Sequence, residues 1–319
     1  MEALPGILQF EPILSKRVWG GTRLHTELGK APTANIGESW ELSGVEGHIS
    51  KLLSGEDLNQ LIERWGASFL GEKVVEEYGN QFPLLFKFID AAQDLSVQVH
   101  PDDAYAQKHH NSFGKTEMWY IMHADPGARL IMGFKPGVDS ATYLQALDAG
   151  TLADILHEVH VKAGDAFYIS PGTVHAIGGG ILLAEIQQTS DLTYRMFDWN
   201  RMGLDGKPRQ LHTAHALEVM NLEPVSTKLE EQVLTESERL IKQSPYFTTT
   251  VLRFNGKLSR DHSRLDSFVV YMCVEGTATV QVAHERVQLK RGQTVLIPAA
   301  VATVELYGEE TSILVVSVP

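Results

Sequence analysis

The sequence predicts a mainly β protein built from two β domains, the first of them carrying helical segments. Two observations support this. Short apolar runs bounded by Gly, Pro, Asn and Asp recur along the chain, and from Arg239 onward there is little else. Helical spacing of apolar residues is confined to a few segments before residue 220. At 319 residues the chain also exceeds what one hydrophobic core usually organises, so a large domain and a smaller one are expected.

In order along the chain, Gly20-Gly21 and Gly37 to Gly44 are turn-flanked, while Leu58 to Trp65 and Ser68 to Tyr78 have helical spacing. Pro83 to Asp90 reads as a strand with one interior lysine, Lys87, a costly placement unless its amine reaches water, a carboxylate or an anion. Leu95 to His100 is a strand that places Ser96, Gln98 and His100 on one face, because side chains alternate with period two. Asp102 caps a short helix to His110, and Met118 to His123 and Arg129 to Phe134 are strands around the turn Asp125-Pro126-Gly127. His109, His110 and His123 read as surface or loop histidines. Asp139 to Leu156 is a helical insertion between strands. Strands resume at His157 to Val161, Gly164 to His175 and Ile181 to Gln187, and Gln210 to Met220 is helical. Asn221 to Glu236 is polar and acidic and reads as a linker, so the expected domains are 1–225 and 226–319. The second consists of short strands: Phe247 to Phe254, Ser267 to Val274, Ala278 to Val282, Val287 to Leu289, Thr294 to Ile297, Val301 to Leu306 and Ser312 to Val318. That is the pattern of an antiparallel barrel or sandwich.

Composition narrows the function. A formal net charge of −13 argues against nucleic acid or an anionic membrane as partner. No apolar run is long enough to span a bilayer and Met1 to Phe10 has no export pattern, so the cytoplasm is the expected compartment. The one cysteine, Cys273, lies in an apolar strand and reads as a packed thiol. An anionic substrate would need a basic cluster gathered against the overall field, which makes each Lys and Arg near the site informative.

Ser96-Val97-Gln98-Val99-His100 is a polar strand face that packing does not explain. Glu117 and His175 stand at the edges of two other strand-like runs. Two imidazoles, a carboxylate and an amide oxygen, Gln98, His100, Glu117 and His175, suit a divalent metal of intermediate softness. A glycine spacing supports this placement. Gly164, Ser170, Gly172 and His175 recur in spacing as Gly292, Pro298, Ala300 and Thr303. The pattern resembles the second signature of cupin barrels, with Ser170 in place of proline. It implies two cupin-type β-barrels, the second degenerate and metal-free because Thr303 stands where the histidine would be.

The segments Leu95 to Asp102, Lys115-Thr116-Glu117-Met118-Trp119 and Ser170 to Ala176 resemble type I mannose-6-phosphate isomerases in their short bacterial form. Supporting matches run from Trp19-Gly20-Gly21 to Phe197-Asp198-Trp199. The resemblance implies one Zn2+ held by Gln98, His100, Glu117 and His175, and a sugar phosphate as substrate. Longer members carry a serine-aspartate-x3-arginine run here, matched by Ser190, Asp191 and Arg195. Their following alanine-glycine-x-threonine-proline core is absent, which loosens the match of Arg201 to the terminal lysine. The implied catalytic residues are Arg195, Lys115, Glu185 and Asp191. The implied substrate-binding residues are Ser96, Lys87, Lys115 and Arg201.

The implied reaction interconverts mannose 6-phosphate and fructose 6-phosphate through an enediol, with Arg195 stabilising the developing charge. Glu185, Asp191 and Lys87 all remain candidates for the proton carrier. Two other readings stay open: an iron-dependent cupin oxygenase using His100, Glu117 and His175, and a sugar-binding bicupin without turnover. Oligomeric state is left open.

Overall fold

The computed structural model describes residues 3–223 and 227–319. Its first part contains β1 (Ile13–Gly21), β2 (Ile36–Ser43), β3 (Leu84–Ala91), β4 (Val97–Val99), β5 (Glu117–Ala124), β6 (Arg129–Phe134), β7 (Leu156–His160), β8 (Ala166–Ile169), β9 (His175–Ile177), β10 (Ile181–Gln188) and β11 (Tyr194–Phe197). One sheet runs β1-β2-β3-β10-β5-β8 and is extended by β12 (Lys228–Leu229); the other runs β11-β4-β9-β6-β7. The pairings are antiparallel throughout. Around them lie α1 (Arg23–Thr26), α2 (Leu58–Trp65), α3 (Ala67–Leu70), α4 (Glu72–Tyr78), α5 (Asp103–His110), α6 (Ser140–Ala149) and α7 (Thr213–Val219).

Alternation along the strands of the first sheet sorts their side chains onto two faces. Ile89, Trp119, Ile121, Ile181 and Leu183 point inward and pack with Leu130, Met132 and Ile177 of the second sheet. Phe86, Phe88, Met118, Tyr120, Ala184 and Ile186 point outward, against Leu61, Ile62 and Phe69 of the helices and Val270, Met272 and Leu314 of the C-terminal part. Every residue of β2, β3 and β10 is therefore buried. That explains why these strands read as near-continuous apolar runs in which a charge stands out. Each large apolar side chain so buried contributes about 1.5–3 kcal/mol.

The C-terminal part contains β13 (Gln232–Val233), β14 (Glu238–Gln243), β15 (Thr248–Asp261), β16 (Val269–Val282), β17 (Glu285–Lys290), β18 (Thr294–Ile297) and β19 (Thr303–Ser317). They form one sheet in the order β13-β14-β15-β19-β16-β17, with β18 on β16. Cys273 is buried in it, and burial pushes its thiol up to about 12, the behaviour of a packed residue.

Several expectations are corrected here. The chain is mainly β and its sheets are antiparallel, but among the described residues no sheet closes into a barrel. The segment Ser68 to Tyr78 is two helices, because Gly71 adopts φ +104° between α3 and α4. The Asp139 to Leu156 helix stops at Ala149: Gly150 takes the left-handed conformation that ends helices, and a 3-10 turn, Leu152–Ile155, leads into β7. Ser267 to Val274 and Ala278 to Val282 are one strand, β16, that continues through register shifts beside Gly276. Likewise β19 runs unbroken across Gly308 to Thr311. The expected boundary at residues 225/226 lies outside the described residues. Just after it, Lys228 and Leu229 pair with Phe167 and Ala166 of the first sheet.

Candidate active site

Two rows of side chains meet between the sheets of the first part. On the first sheet the strand registers place Trp40, Lys87, Glu185 and Trp119 side by side, with Glu117 two residues before Trp119 on the same inner face. On the second sheet Arg195, Gln98 and His175 stand in register across β11, β4 and β9. Pro101 and Asp102 then turn the chain from β4 into α5, where the Asp102 carboxylate caps the helix by accepting from the Tyr105 amide at 2.8 Å.

His100, Glu117 and His175 are almost wholly buried, and their ligand atoms all lie within 4.8 Å of one another. His100 Nε2 is 3.2 Å from Glu117 Oε1 and His175 Nε2 is 3.7 Å from Glu117 Oε2. Each imidazole gives its Nδ1–H to a backbone carbonyl, of Leu192 at 2.9 Å and of Thr173 at 2.8 Å. That fixes the tautomers and leaves both Nε2 atoms as bare lone pairs facing the carboxylate. His100 Nε2 and both Glu117 oxygens are buried without an aligned hydrogen bond. Burial, with the Lys115 ammonium, pushes His100 down to about 3, and burial also lowers His175. Burial opposes the charge on Glu117, but Lys115, His100 and His175 hold its carboxyl well below the ordinary range. Two neutral imidazoles and a carboxylate with no proton between them form a donor set that fits a divalent cation. The Gln98 amide lies beside them, its Nε2 3.3 Å from His175 Nε2, and rotation of the amide would present its oxygen instead.

Over this set opens a cavity of about 580 Å³, whose walls include Gln98, Glu117, Ser96, Lys87, Lys115, Glu185, Asp191 and Arg195. Lys115 Nζ is 3.2 Å from Glu117 Oε1. Lys87 Nζ lies 3.0 Å from Glu185 Oε2 and donates to Gln187 Oε1 at 2.7 Å. Burial works against the Lys87 charge, yet the carboxylates of Glu185, Glu38 and Glu117 outweigh it and raise its pKa. Trp119 Nε1 donates to Glu185 Oε1 at 2.8 Å, while Oε2 has no aligned hydrogen bond. Burial and the negative Glu117 raise the Glu185 carboxyl against the pull of Lys87. Arg195 gives Nη1 to the Gln210 carbonyl at 2.9 Å and keeps a buried Nε–H without partner.

Arg201 is not brought to this cavity. It is tied to Asp198 through Nε at 3.0 Å and to the Asp94 carbonyl through Nη1. Arg209, on the same Asp198 carboxylate at 2.6 Å, lines the cavity in its place. Sequence reasoning also missed Arg17 and Glu38. They pair through two 3.0 Å contacts and line the wall beside Lys87. Burial opposes the Glu38 charge, but Lys87 and Arg17 hold its carboxyl down to about 2. The signal for Glu38 was of the kind that singled out Lys87, a charge inside a buried strand, although Glu41 shares it in β2. Arg209 had no such signal, because it sits in an irregular segment.

The open antiparallel sheets and the buried ligand set define a cupin-type β protein with a site fit for a metal. Residues 7–126 match the family profile of the type I phosphomannose isomerase catalytic domain, and residues 236–318 that of the mannose-6-phosphate isomerase cupin domain. The chain is 33% identical over 307 residues to the mannose-6-phosphate isomerase of Streptococcus mutans, covering 93% of each protein. It is 33% identical over 309 residues to mannose-6-phosphate isomerase ManA of Bacillus subtilis, covering 94% of this chain and 96% of that one. The crystal structure of mannose 6-phosphate isomerase from Bacillus subtilis superimposes with a TM-score of 0.89 at 28% identity, over 98% of this chain and 99% of the other. The chain belongs to the type I phosphomannose isomerase family and is an isomerase.

Proposed function

We propose that the protein interconverts mannose 6-phosphate and fructose 6-phosphate with one Zn2+ held by His100, Glu117, His175 and the Gln98 amide oxygen. The observation that carries this reading is a pair of bare, buried imidazole nitrogens facing a carboxylate that has no aligned hydrogen bond, beneath a cavity whose walls gather cations. When bound, the zinc supplies positive charge that polarises the sugar oxygens. The phosphate is assigned to Ser96, Lys115 and Arg209, whose donors suit its oxygens. Glu38, anchored by Arg17, adds negative charge that favours the charged form of Lys87.

For the proton transfer, Glu185 is the best-supported carrier. Its Oε1 is fixed by Trp119, its Oε2 lies 3.0 Å from the Lys87 ammonium in the cavity wall, and its burial raises its proton affinity. In the aldose-to-ketose direction it takes the C2 proton, leaving negative charge on the C1 oxygen of an enediolate. The C2 hydroxyl passes its proton to that oxygen, and Glu185 returns its own proton to C1, leaving the ketone at C2. Arg195, with its unpartnered Nε–H, stabilises the charge on the oxygen between these steps. Lys87 keeps the Glu185 carboxylate oriented.

The cavity residues all precede residue 210, in keeping with a catalytic part over 1–225 and a supporting one over 226–319. Among the described residues no helix is long and apolar enough to cross a membrane, and we assign the protein to the cytoplasm. The test is a coupled assay of fructose 6-phosphate release from mannose 6-phosphate. The native chain turns over and Glu185→Gln loses at least about a hundredfold in kcat. No product from the native chain contradicts the activity, and an unimpaired Glu185→Gln contradicts the proton assignment.

A further inference from the structure

Outside the cavity, three imidazoles from two helices converge on the surface. His109 and His110 end α5, and His215 projects from α7. The ring centroids of His110 and His215 are 5.5 Å apart, those of His109 and His215 5.9 Å, and those of His109 and His110 6.4 Å. Imidazoles sharing one tetrahedral ion at metal–nitrogen distances of about 2.0–2.1 Å bring their centroids to about 5 Å. The buried pair His100 and His175, at 4.8 Å, gives the same spacing within this molecule.

The surrounding hydrogen bonds prepare the cluster as a ligand set. The Tyr105 hydroxyl is 2.9 Å from both His215 Nδ1 and Glu218 Oε2. An ionised carboxylate only accepts, so the Tyr105 proton goes to Glu218 and the hydroxyl oxygen accepts from His215 Nδ1–H. His215 is thereby held in the tautomer whose Nε2 is a bare lone pair, oriented by a carboxylate one hydroxyl away, as metal-bound histidines usually are. The ring is also pinned flat against Tyr194, at 4.8 Å and 10°. His109 stacks on Tyr105 at 4.2 Å and 17°, and His110 engages the Tyr194 hydroxyl through Nε2 at 2.6 Å, which leaves its Nδ1 for another partner. The histidine nitrogens are not drawn together as closely as the buried trio, whose ligand atoms all lie within 4.8 Å. His109 and His110 are exposed at a helix end, the first held by its stack on Tyr105 and the second by one hydrogen bond, so closing on a shared ion requires only side-chain rotation there.

We propose that His109, His110 and His215 form a second metal site, on the surface, for a divalent transition cation of borderline softness such as Zn2+ or Cu2+, with Tyr105 and Glu218 positioning His215. The site lies on the face of β11 opposite the cavity: Tyr194 points to the cluster and Arg195 to the cavity.

The test uses the full chain with its buried site already loaded with Zn2+, titrated with further Zn2+ against a chromophoric chelator. The expected result is a second equivalent that His109→Ala and His215→Ala each weaken at least tenfold and that Glu218→Gln weakens about tenfold. His109 is exposed, so its replacement keeps the experiment informative even if His215→Ala folds poorly. Cu2+ bound to the same protein should show nitrogen couplings in its electron paramagnetic resonance spectrum that these variants reduce. In Glu117→Ala the surface equivalent should persist while the buried one is lost, which separates this site from the one assigned to catalysis. Absence of a second equivalent, or one that all three variants leave unchanged, overturns the proposal.

Discussion

At the residue scale the site depends on which charges are already satisfied. Arg201 is tied to Asp198 and the Asp94 carbonyl away from the cavity, whereas Arg195 lines the cavity and has a buried Nε–H without an aligned partner. If Arg195 acts on charge that exists only in the transition state, Arg195→Ala should lower kcat by about a hundredfold and leave KM within a few fold. Steady-state kinetics decide this, and a change confined to KM would reassign Arg195 to ground-state binding. Much of the site was legible in the sequence because its residues violate the pattern of their strands: Lys87 in an apolar run, and Ser96, Gln98 and His100 on one polar face. Glu38 carried the same mark. Arg209 did not, because only the path of the chain after β11 brings it to the cavity, and strand periodicity says nothing about that path.

At the scale of elements, the helices of the first part lean on the C-terminal sheet. Asp266, just before β16, accepts from the first amides of α4, Glu72 N at 2.7 Å and Lys73 N at 3.1 Å, and so caps the helix from a segment far along the chain. Gly71 enters that helix with φ +104°, and a side chain there would collide with the Asp266 backbone. Asp266→Ala should cost about 1 kcal/mol, measured by denaturant unfolding; a change below a few tenths would show that the cap does not bear on stability. Apolar spacing located α2 to the residue, and in the structure Asp57 and Gln60 form a reciprocal capping box ahead of that stripe. It failed at Gly71, Gly276 and Gly308, where glycine breaks one helix but merely bends two long strands. The difference rests on pairing with neighbouring strands, which no window of sequence contains.

At the scale of the whole molecule, a net charge of −13 surrounds a cavity that gathers lysines and arginines, and the C-terminal sheet closes the outer face of the catalytic sheet. Stability there should respond to acid. Burial, with Arg260 nearby, pushes His262 down to about 4, and its Nε2 is hydrogen-bonded to the Tyr271 hydroxyl at 2.9 Å. Between pH 4 and an ordinary histidine value of about 6.5 the unfolded chain binds a proton that the native protein refuses. Stability from this residue is therefore complete above about pH 6.5 and is lost as pH falls toward 4, on the order of 3 kcal/mol in all. His262→Gln should flatten the pH dependence of unfolding across that window; an unchanged slope would remove His262 from the account.

The zinc ion assigned to His100, Glu117, His175 and Gln98 is the part of the proposed reaction on which turnover depends. The most direct measurement is mannose 6-phosphate isomerisation by the fully chelated protein, before and after one equivalent of Zn2+ is restored. Chelation should abolish product formation, and zinc should recover it in the native chain but not in Glu117→Ala. Full activity in protein shown by elemental analysis to be free of metal would contradict it.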